Sequence, residues 1–258
     1  MIFYFSGAGN SYYVAKKLSE TLDQKIVSIA DTLRTKDLYF DVTTDDSIGF
    51  VFPVHFWGVP YIVTQFLEQM HLKILPNTYV WIVLTCGGST GNTINMAKDI
   101  LKKQNIIVNA SYSIQMTDVF VPLFKVPSKE VLNERLIKVN GFIDQVGMFL
   151  KNKDIGDIDI YRSKIAKLTT TTMYPLYSHY RNTSKFSVND ACIACKKCEK
   201  ICPLDVIEVY EGKPVWKKKK CTICFACVHV CPVSAIDYGK VLFFFSSKGQ
   251  GRYKAPKP

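Results

Sequence analysis

Cys192-Ile193-Ala194-Cys195-Lys196-Lys197-Cys198-Glu199-Lys200-Ile201-Cys202-Pro203 returns, twenty-nine residues on, as Cys221-Thr222-Ile223-Cys224-Phe225-Ala226-Cys227-Val228-His229-Val230-Cys231-Pro232. Both copies read C-x2-C-x2-C-x3-C-P. The match continues past the cysteines, since Leu204-Asp205-Val206-Ile207 aligns with Val233-Ser234-Ala235-Ile236. A constant offset over sixteen positions is the mark of a duplicated half-unit. Eight of the nine cysteines in this 258-residue chain lie within the repeat. Charge is divided just as unevenly. Residues 1–150 carry 13 basic and 13 acidic residues, whereas residues 151–258 carry 20 and 9, so the whole net charge of +11 sits in the second part. Two compositions this different imply two domains.

A cubane iron–sulfur cluster needs four thiolates around a compact core. Three closely spaced cysteines can wrap three corners, the fourth arrives from elsewhere, and the Pro after it redirects the chain. The run is similar to that of bacterial two-cluster ferredoxins, in which the fourth cysteine ligates the other cluster. This resemblance implies two [4Fe–4S] clusters, one on Cys192, Cys195, Cys198 and Cys231, the other on Cys221, Cys224, Cys227 and Cys202. Zinc knuckles also use C-x2-C pairs, but they rarely place four cysteines in eleven residues twice, each before a Pro. Disulfides need an oxidising compartment. Met1-Ile2-Phe3-Tyr4-Phe5 has no basic residues ahead of its apolar run, so a cytoplasmic location is expected. Ala194 and Ala226 leave room for backbone amides to approach sulfide. His229 reads as a surface or supporting residue, because all four cysteines of its motif are present.

Residues 1–150 read as one α/β domain. Ile2–Phe5, Lys25–Ile29, Ile48–Phe52 and Tyr79–Thr85 are strand-like, and the last two lack polar alternation, as strands covered on both faces do. Helical patterns occupy Asn10–Leu22, Pro60–Met70, Asn92–Gln104 and Ser128–Leu150, with a weaker strand over Ile107–Gln115. Such alternation implies right-handed crossovers and a parallel sheet with helices on both faces. Five strands suit the flavodoxin-like doubly wound order 2-1-3-4-5, with the Rossmann dinucleotide fold as the rival. Residues 151–185 read as a linker with strap helices. Residues 186–258 read as a small α+β cluster domain with a basic C-terminal tail, in which Val241–Phe245 is a further strand. No membrane span is expected, because the longest apolar stretch, Ile48–Val63, covers 16 positions against the ~20 a bilayer requires.

Between the first strand and the first helix stands Ser6-Gly7-Ala8-Gly9-Asn10-Ser11. A strand-to-helix turn with two glycines exposes N–H groups at a helix N-terminus, an anion site or simply a tight structural turn. Ser6, Asn10 and Ser11 add side-chain donors. Tyr12 stands where the dinucleotide fingerprint wants its third glycine, and no Walker lysine follows, so a monophosphate suits the loop better than a pyrophosphate. The third and fourth strands end in Pro53-Val54-His55-Phe56-Trp57-Gly58 and Thr85-Cys86-Gly87-Gly88-Ser89. In a doubly wound sheet these loops converge beside the first. One offers an aromatic face for a flat ring, the other lets amides approach its polar edge.

The N-terminal part resembles a flavodoxin domain, whose first loop has the form Thr/Ser-x-Thr-Gly-x-Thr/Ser and holds the FMN phosphate. The whole chain resembles the fusion proteins of anaerobic microbes that join such a domain to a two-cluster ferredoxin, often with Phe-Ser-Gly-Thr-Gly-Asn-Ser after the first strand. Phe5-Ser6-Gly7-Ala8-Gly9-Asn10-Ser11 matches except at Ala8, where a hydroxyl donor is missing. The resemblance covers residues 1–125 and 186–240. It implies FMN on the three loops, its ring resting on Phe56 or Trp57. The alternative is that these aromatics are core or interface residues of a domain without flavin.

Cys86 stands alone after a buried-type strand and reads as a small buried residue that can touch flavin by position. The basic Lys217–Lys220 and Lys248–Lys257 suggest a docking face for an acidic redox-partner protein rather than a nucleic-acid surface. The expected function is electron transfer among the clusters, FMN and external partners. An FMN-dependent reductase of a small molecule or quinone, and a ferredoxin with a flavin-free docking domain, are the alternatives.

Overall fold

The computed structural model describes residues 1–45, 47–239 and 246–258. Its first part runs β1 (Ile2–Tyr4), α1 (Asn10–Leu22), β2 (Ile26–Ser28), α2 (Ile29–Thr35), β3 (Tyr39–Asp41), β4 (Ser47–Pro53), α3 (Tyr61–Gln69), β5 (His71–Lys73), β6 (Tyr79–Cys86), α4 (Thr93–Lys102), β7 (Ala110–Gln115), α5 (Lys129–Lys151) and β8 (Gly156–Ile158). Six of these strands form a parallel sheet in the order β2-β1-β4-β6-β7-β8, while β3 and β5 pair by themselves. Strands β4 and β6 are buried at nearly every position because helices cover both sheet faces. On one face Phe3, Phe50 and Leu84 pack with Ile62 and Phe66 of α3 and Leu101 of α4. On the other, Val51, Trp81 and Tyr112 pack with Val14 and Leu18 of α1 and Val146 of α5. Alternate residues of one strand thus serve opposite cores. Gly49 lets the Trp81 ring lie on the neighbouring strand, since a Cβ there would stand 2.1 Å from the indole.

The structure departs from the sequence reading at β3 and β5, where no strand was expected, and at three places in the main sheet. The run read as Lys25–Ile29 stops at Ser28, whose hydroxyl accepts from the Asp31 N–H and starts α2. The last central strand starts at Ala110 rather than Ile107: Asn109 brackets Val80 with its amide and its side chain, and Ile107 is exposed. Residues 156–158, read as linker, add the sixth strand. The charge at its centre suits an edge, where Asp157 pairs with Lys98 at 2.5 Å.

The second part comprises α6 (Ala166–Tyr180), a 3-10 turn (Thr183–Lys185), β9 (Phe186–Val188), α7 (Lys197–Ile201), β10 (Ile207–Tyr210), β11 (Lys213–Trp216), α8 (Ala226–Val230) and β12 (Ile236–Tyr238). β9 pairs antiparallel with β12, and β10 with β11. The duplication is written into the backbone. Left-handed residues recur in register at Ala194 and Ile223 (φ 52° and 41°), Lys196 and Phe225 (58° and 57°), and Asp205 and Ser234 (49° and 53°). For residues with a Cβ this conformation costs ~1–2 kcal/mol each, so both loops are held in shape by something worth that strain. Helix α6 lies between the two parts: Thr170 and Tyr174 donate to the Trp57 and Val59 carbonyls (both 2.6 Å), and the Tyr177 hydroxyl accepts from the Tyr61 N–H (3.1 Å) while donating to the Thr222 carbonyl (3.0 Å). The expected strand at Val241–Phe245 lies outside the described residues.

Candidate redox site

The carboxyl ends of β1, β4, β6 and β7 open on a cavity of about 470 Å³. Ser6, Gly7, Ala8, Asn10, Ser11, Pro53–Trp57 and Thr85–Ser89 all line it. From the same loops, Gly9 and Gly58 do not: each is covered, Gly9 by Ala255 and Gly58 by the Tyr174 ring. Phe56 and Trp57 are both left-handed (φ 49° and 58°), in a tight loop closed by reciprocal His55–Gly58 backbone hydrogen bonds of 3.0 and 2.9 Å. Phe56 stacks on Tyr177 and Tyr180, with centroids 5.7 and 5.5 Å away. Trp57 makes no ring pair among the described residues, so it is the loop's available face. Burial pulls the His55 imidazole down to about 4, leaving it neutral at pH 7, and its Nδ1 lies 3.2 Å from the Tyr177 hydroxyl. Burial pushes the Cys86 thiol up to about 12, which makes it inert.

The sequence reading missed the loop after β7. Met116, Thr117, Asp118, Val119 and Phe120 line the cavity, as do Met173, Leu176 and Tyr180 of α6. β7 ends at the same sheet edge as its neighbours, so the convergence rule applied to that strand points to Asp118. Burial raises the Asp118 carboxyl above its ordinary range, and Oδ1 accepts from the Phe120 N–H at 2.8 Å.

The first loop is tied more tightly than expected. The Asn10 amide, expected to add a donor at the anion loop, donates instead to the Thr117 carbonyl (2.9 Å), while its Oδ1 accepts the Tyr253 hydroxyl (2.6 Å). The Ser11 hydroxyl is bonded to Thr85 Oγ1 (2.7 Å), and Ser6 Oγ accepts from the Gly9 N–H (3.1 Å), keeping its own proton to donate. Gly9 is left-handed (φ 102°), and a Cβ there would stand 2.3 Å from that of Ala255. The tail, expected as part of a basic docking face, is thus packed on the loop at Tyr253 and Ala255, while Lys248, Lys254 and Lys257 stay exposed. The Tyr253 N–H donates to His229 Nδ1 (3.0 Å), so His229 carries its proton on Nε2 and gives it to the Val119 carbonyl (2.9 Å).

The eight cysteines of the repeat surround two small cavities. Cys202, Cys221, Cys224 and Cys227 line one; Cys192, Cys195, Cys198 and Cys231 line the other. Among the described residues no three His, Cys, Asp or Glu side chains converge on a point fit for one ion. Backbone amides donate to the sulfurs in matching register, Val206 to Cys202 (3.4 Å) and Ala235 to Cys231 (3.1 Å), with Ile223 donating to Cys221 (3.2 Å). Four cysteines per group, arranged around a space and met by amides, fit a polynuclear iron–sulfur cluster. The first group is wholly buried, and burial pushes the Cys221 and Cys224 thiols up to about 11 and 12. Thiolates there need a cation such as iron. The second group reaches the surface at Cys195.

Comparison with protein families matches residues 1–120 to the flavodoxin domain and residues 191–236 to the 4Fe-4S dicluster domain. The chain joins a flavodoxin domain to a 4Fe-4S dicluster domain. This pairing is that of iron–sulfur, flavodoxin-type electron-transfer proteins. No curated protein matches the sequence. Among solved structures, rubredoxin oxygen:oxidoreductase from Desulfovibrio gigas is 14% identical over 59% of this chain and 36% of its own (TM-score 0.36). The Trp repressor binding protein of Bacillus subtilis is 10% identical over 60% of this chain and 100% of its own (TM-score 0.38). An FMN-dependent NADH-azoreductase from Bacillus anthracis str. Ames Ancestor, solved with FMN, is 11% identical over 57% of this chain and 98% of its own (TM-score 0.37). Similarity at this level assigns no activity.

The flavodoxin and dicluster domains meet at the large cavity. A Cβ on Gly7 would stand 2.5 Å from the Cys224 carbonyl oxygen, so only glycine allows the approach. Ile223, Cys224 and Phe225 line both the large cavity and the small one walled by Cys202, Cys221, Cys224 and Cys227. Two arginines brace the junction. Arg34 pairs with Asp205 (3.1 Å) and donates to the Cys202 carbonyl (3.2 Å). Arg181 donates to the Cys221 carbonyl (2.6 Å), its guanidinium 3.4 Å from the Tyr61 ring centroid.

Proposed function

We propose that this chain is an electron-transfer protein in which the dicluster domain holds two [4Fe–4S] clusters and the flavodoxin domain holds FMN. The observation that carries this reading is the wall Ile223–Phe225, common to the flavin-sized cavity and the inner group of cysteines. Taken in chain order, the first five strands of the main sheet stand 2-1-3-4-5 with β8 added outside, which supports the flavodoxin-like doubly wound fold. In that fold the cavity lies where flavin is held.

Cys202, Cys221, Cys224 and Cys227 would hold the inner cluster, and Cys192, Cys195, Cys198 and Cys231 the outer. Ser6 and the amides of the first loop would take the flavin phosphate, with Trp57 beside the ring. Bound there, the clusters supply one-electron and the flavin one- or two-electron chemistry. The chain fixes the spacing: Gly7 against Cys224 removes any diffusional search between the two domains. Phe225, Phe120 and Tyr180 keep water from the wall between the sites. Asp118 can keep a proton at the cavity because burial favours its neutral form. Exposed Lys196, Lys197 and Lys200 beside Cys195 suit an acidic redox-partner protein in the cytoplasm. A second reading, an FMN-dependent reductase, is favoured by exposed Leu123 and Phe124 at the cavity mouth, which suit an apolar acceptor.

Metal and flavin analysis of anaerobically purified protein tests the proposal. About eight iron, eight sulfide and one FMN per chain are expected. Iron without flavin after reconstitution would reduce the first domain to a docking module, and a colourless, iron-free chain would end the proposal altogether.

A further inference from the structure

A second groove, of about 800 Å³, runs between the loop after β7, the first half of α5 and the C-terminal tail. It shares Gly87, Met116 and Thr117 with the large cavity as a common wall. Its volume lies within the ~300–1,000 Å³ typical of small-molecule sites. Lys129, Arg135, Lys138, Arg252 and Lys254 line it, and among the described residues no carboxylate does. The side chains of Lys129, Arg135, Lys138 and Lys254 make no hydrogen bond or ion pair there. Arg252 is different: its side chain is 9% exposed, its Nη2 is engaged by Asp237 and two carbonyls, yet its buried Nε has no acceptor.

Cations gathered in a concave site that no carboxylate lines repel one another and concentrate anions. An α-helix rises ~1.5 Å per residue, so Lys129 and Lys138 stand ~13 Å apart along α5, farther than a single phosphate reaches. Between the charges the groove is walled by half-buried Phe142 and Tyr161 and by buried Tyr253. The ligand this surface fits has flat rings and phosphates at separated points. We propose that the groove binds a phosphorylated dinucleotide of the pyridine-nucleotide class, on residues separate from those that would hold FMN and the clusters apart from the shared wall.

The test is calorimetric titration of the cofactor-loaded protein with NADP+, which binds without donating electrons. Saturable binding at one site per chain is expected, at least about tenfold tighter than that of inorganic pyrophosphate, because the rings add stacking to the charge pairing. The double variant Arg135→Glu/Lys138→Glu should weaken binding at least about tenfold, while Lys103→Glu, just past the end of α4 and away from the groove, should not. Both variants alter exposed side chains, and their iron and flavin contents should equal those of the parent. Absence of saturation, unchanged affinity in the double variant, or pyrophosphate binding as tightly as NADP+ would each overturn the proposal. Binding by a protein that holds neither iron nor flavin would leave it standing while removing the electron-transfer reading.

Discussion

Asp118 shows how one residue sets a local condition for the cavity. Its half-buried carboxyl lies beside Gly87 and is raised above the ordinary carboxylate range by desolvation. The unfolded chain ionises at ~3.9. Between that value and the higher folded value the folded chain still holds the proton that the unfolded chain has released, so stability falls as pH rises through this window and the loss is complete above it. Asparagine carries no such penalty and can keep the bond from the Phe120 N–H. Asp118→Asn should therefore raise the unfolding temperature of the flavin-free protein at about pH 8, and the gain should shrink towards about pH 4, where the unfolded carboxyl also holds its proton. A gain of equal size at both pH values would show that the burial of charge is not what Asp118 costs the fold.

Among the elements, the tail has the least expected place. Tyr253 and Ala255 close on the loop of Asn10 and Gly9, and Tyr253 also seats His229. Buried hydrogen bonds contribute ~0.5–1.5 kcal/mol each. Deleting residues 253–258 while keeping Arg252 should raise the FMN dissociation constant about tenfold, with iron content unchanged, as equilibrium dialysis and metal analysis would measure. An unaltered constant would mean that the tail does not steady the loop. Nothing in Lys248–Lys257 announces this contact, because it is made by one tyrosine and one alanine through tertiary packing, whereas composition shows only the lysines. The sheet was easier to read. Unbroken apolar runs such as Tyr79–Thr85 leave few options, and the loops of Ser6–Ser11, Pro53–Trp57 and Thr85–Ser89 follow from strand order to one cavity. Gly156–Ile158 carries no such pattern: its pairing with β7 is made by backbone groups, and its side chains look like those of a linker. The wall supplied by α6 was hidden for the same reason as the tail.

At the scale of the molecule the junction matters most. Gly7 touches Cys224, and the same wall bounds both candidate cofactor sites. Gly7→Val would drive a side chain into the Cys224 backbone and displace one corner of the inner group. The expected result is about four iron atoms per chain in place of about eight, because the outer group does not depend on that contact. Full iron content together with unchanged flavin reduction would show that the junction tolerates separation. The two cysteine loops descend from one pattern and keep the same backbone down to their left-handed residues, yet they meet opposite surroundings. One is pressed against a neighbouring domain and the other looks out at Cys195. The cysteine spacing is common to the twins, so socket and plug differ in what surrounds the sulfurs: Phe225 and Ala226 are buried where Lys196 and Lys197 stand exposed in the other copy.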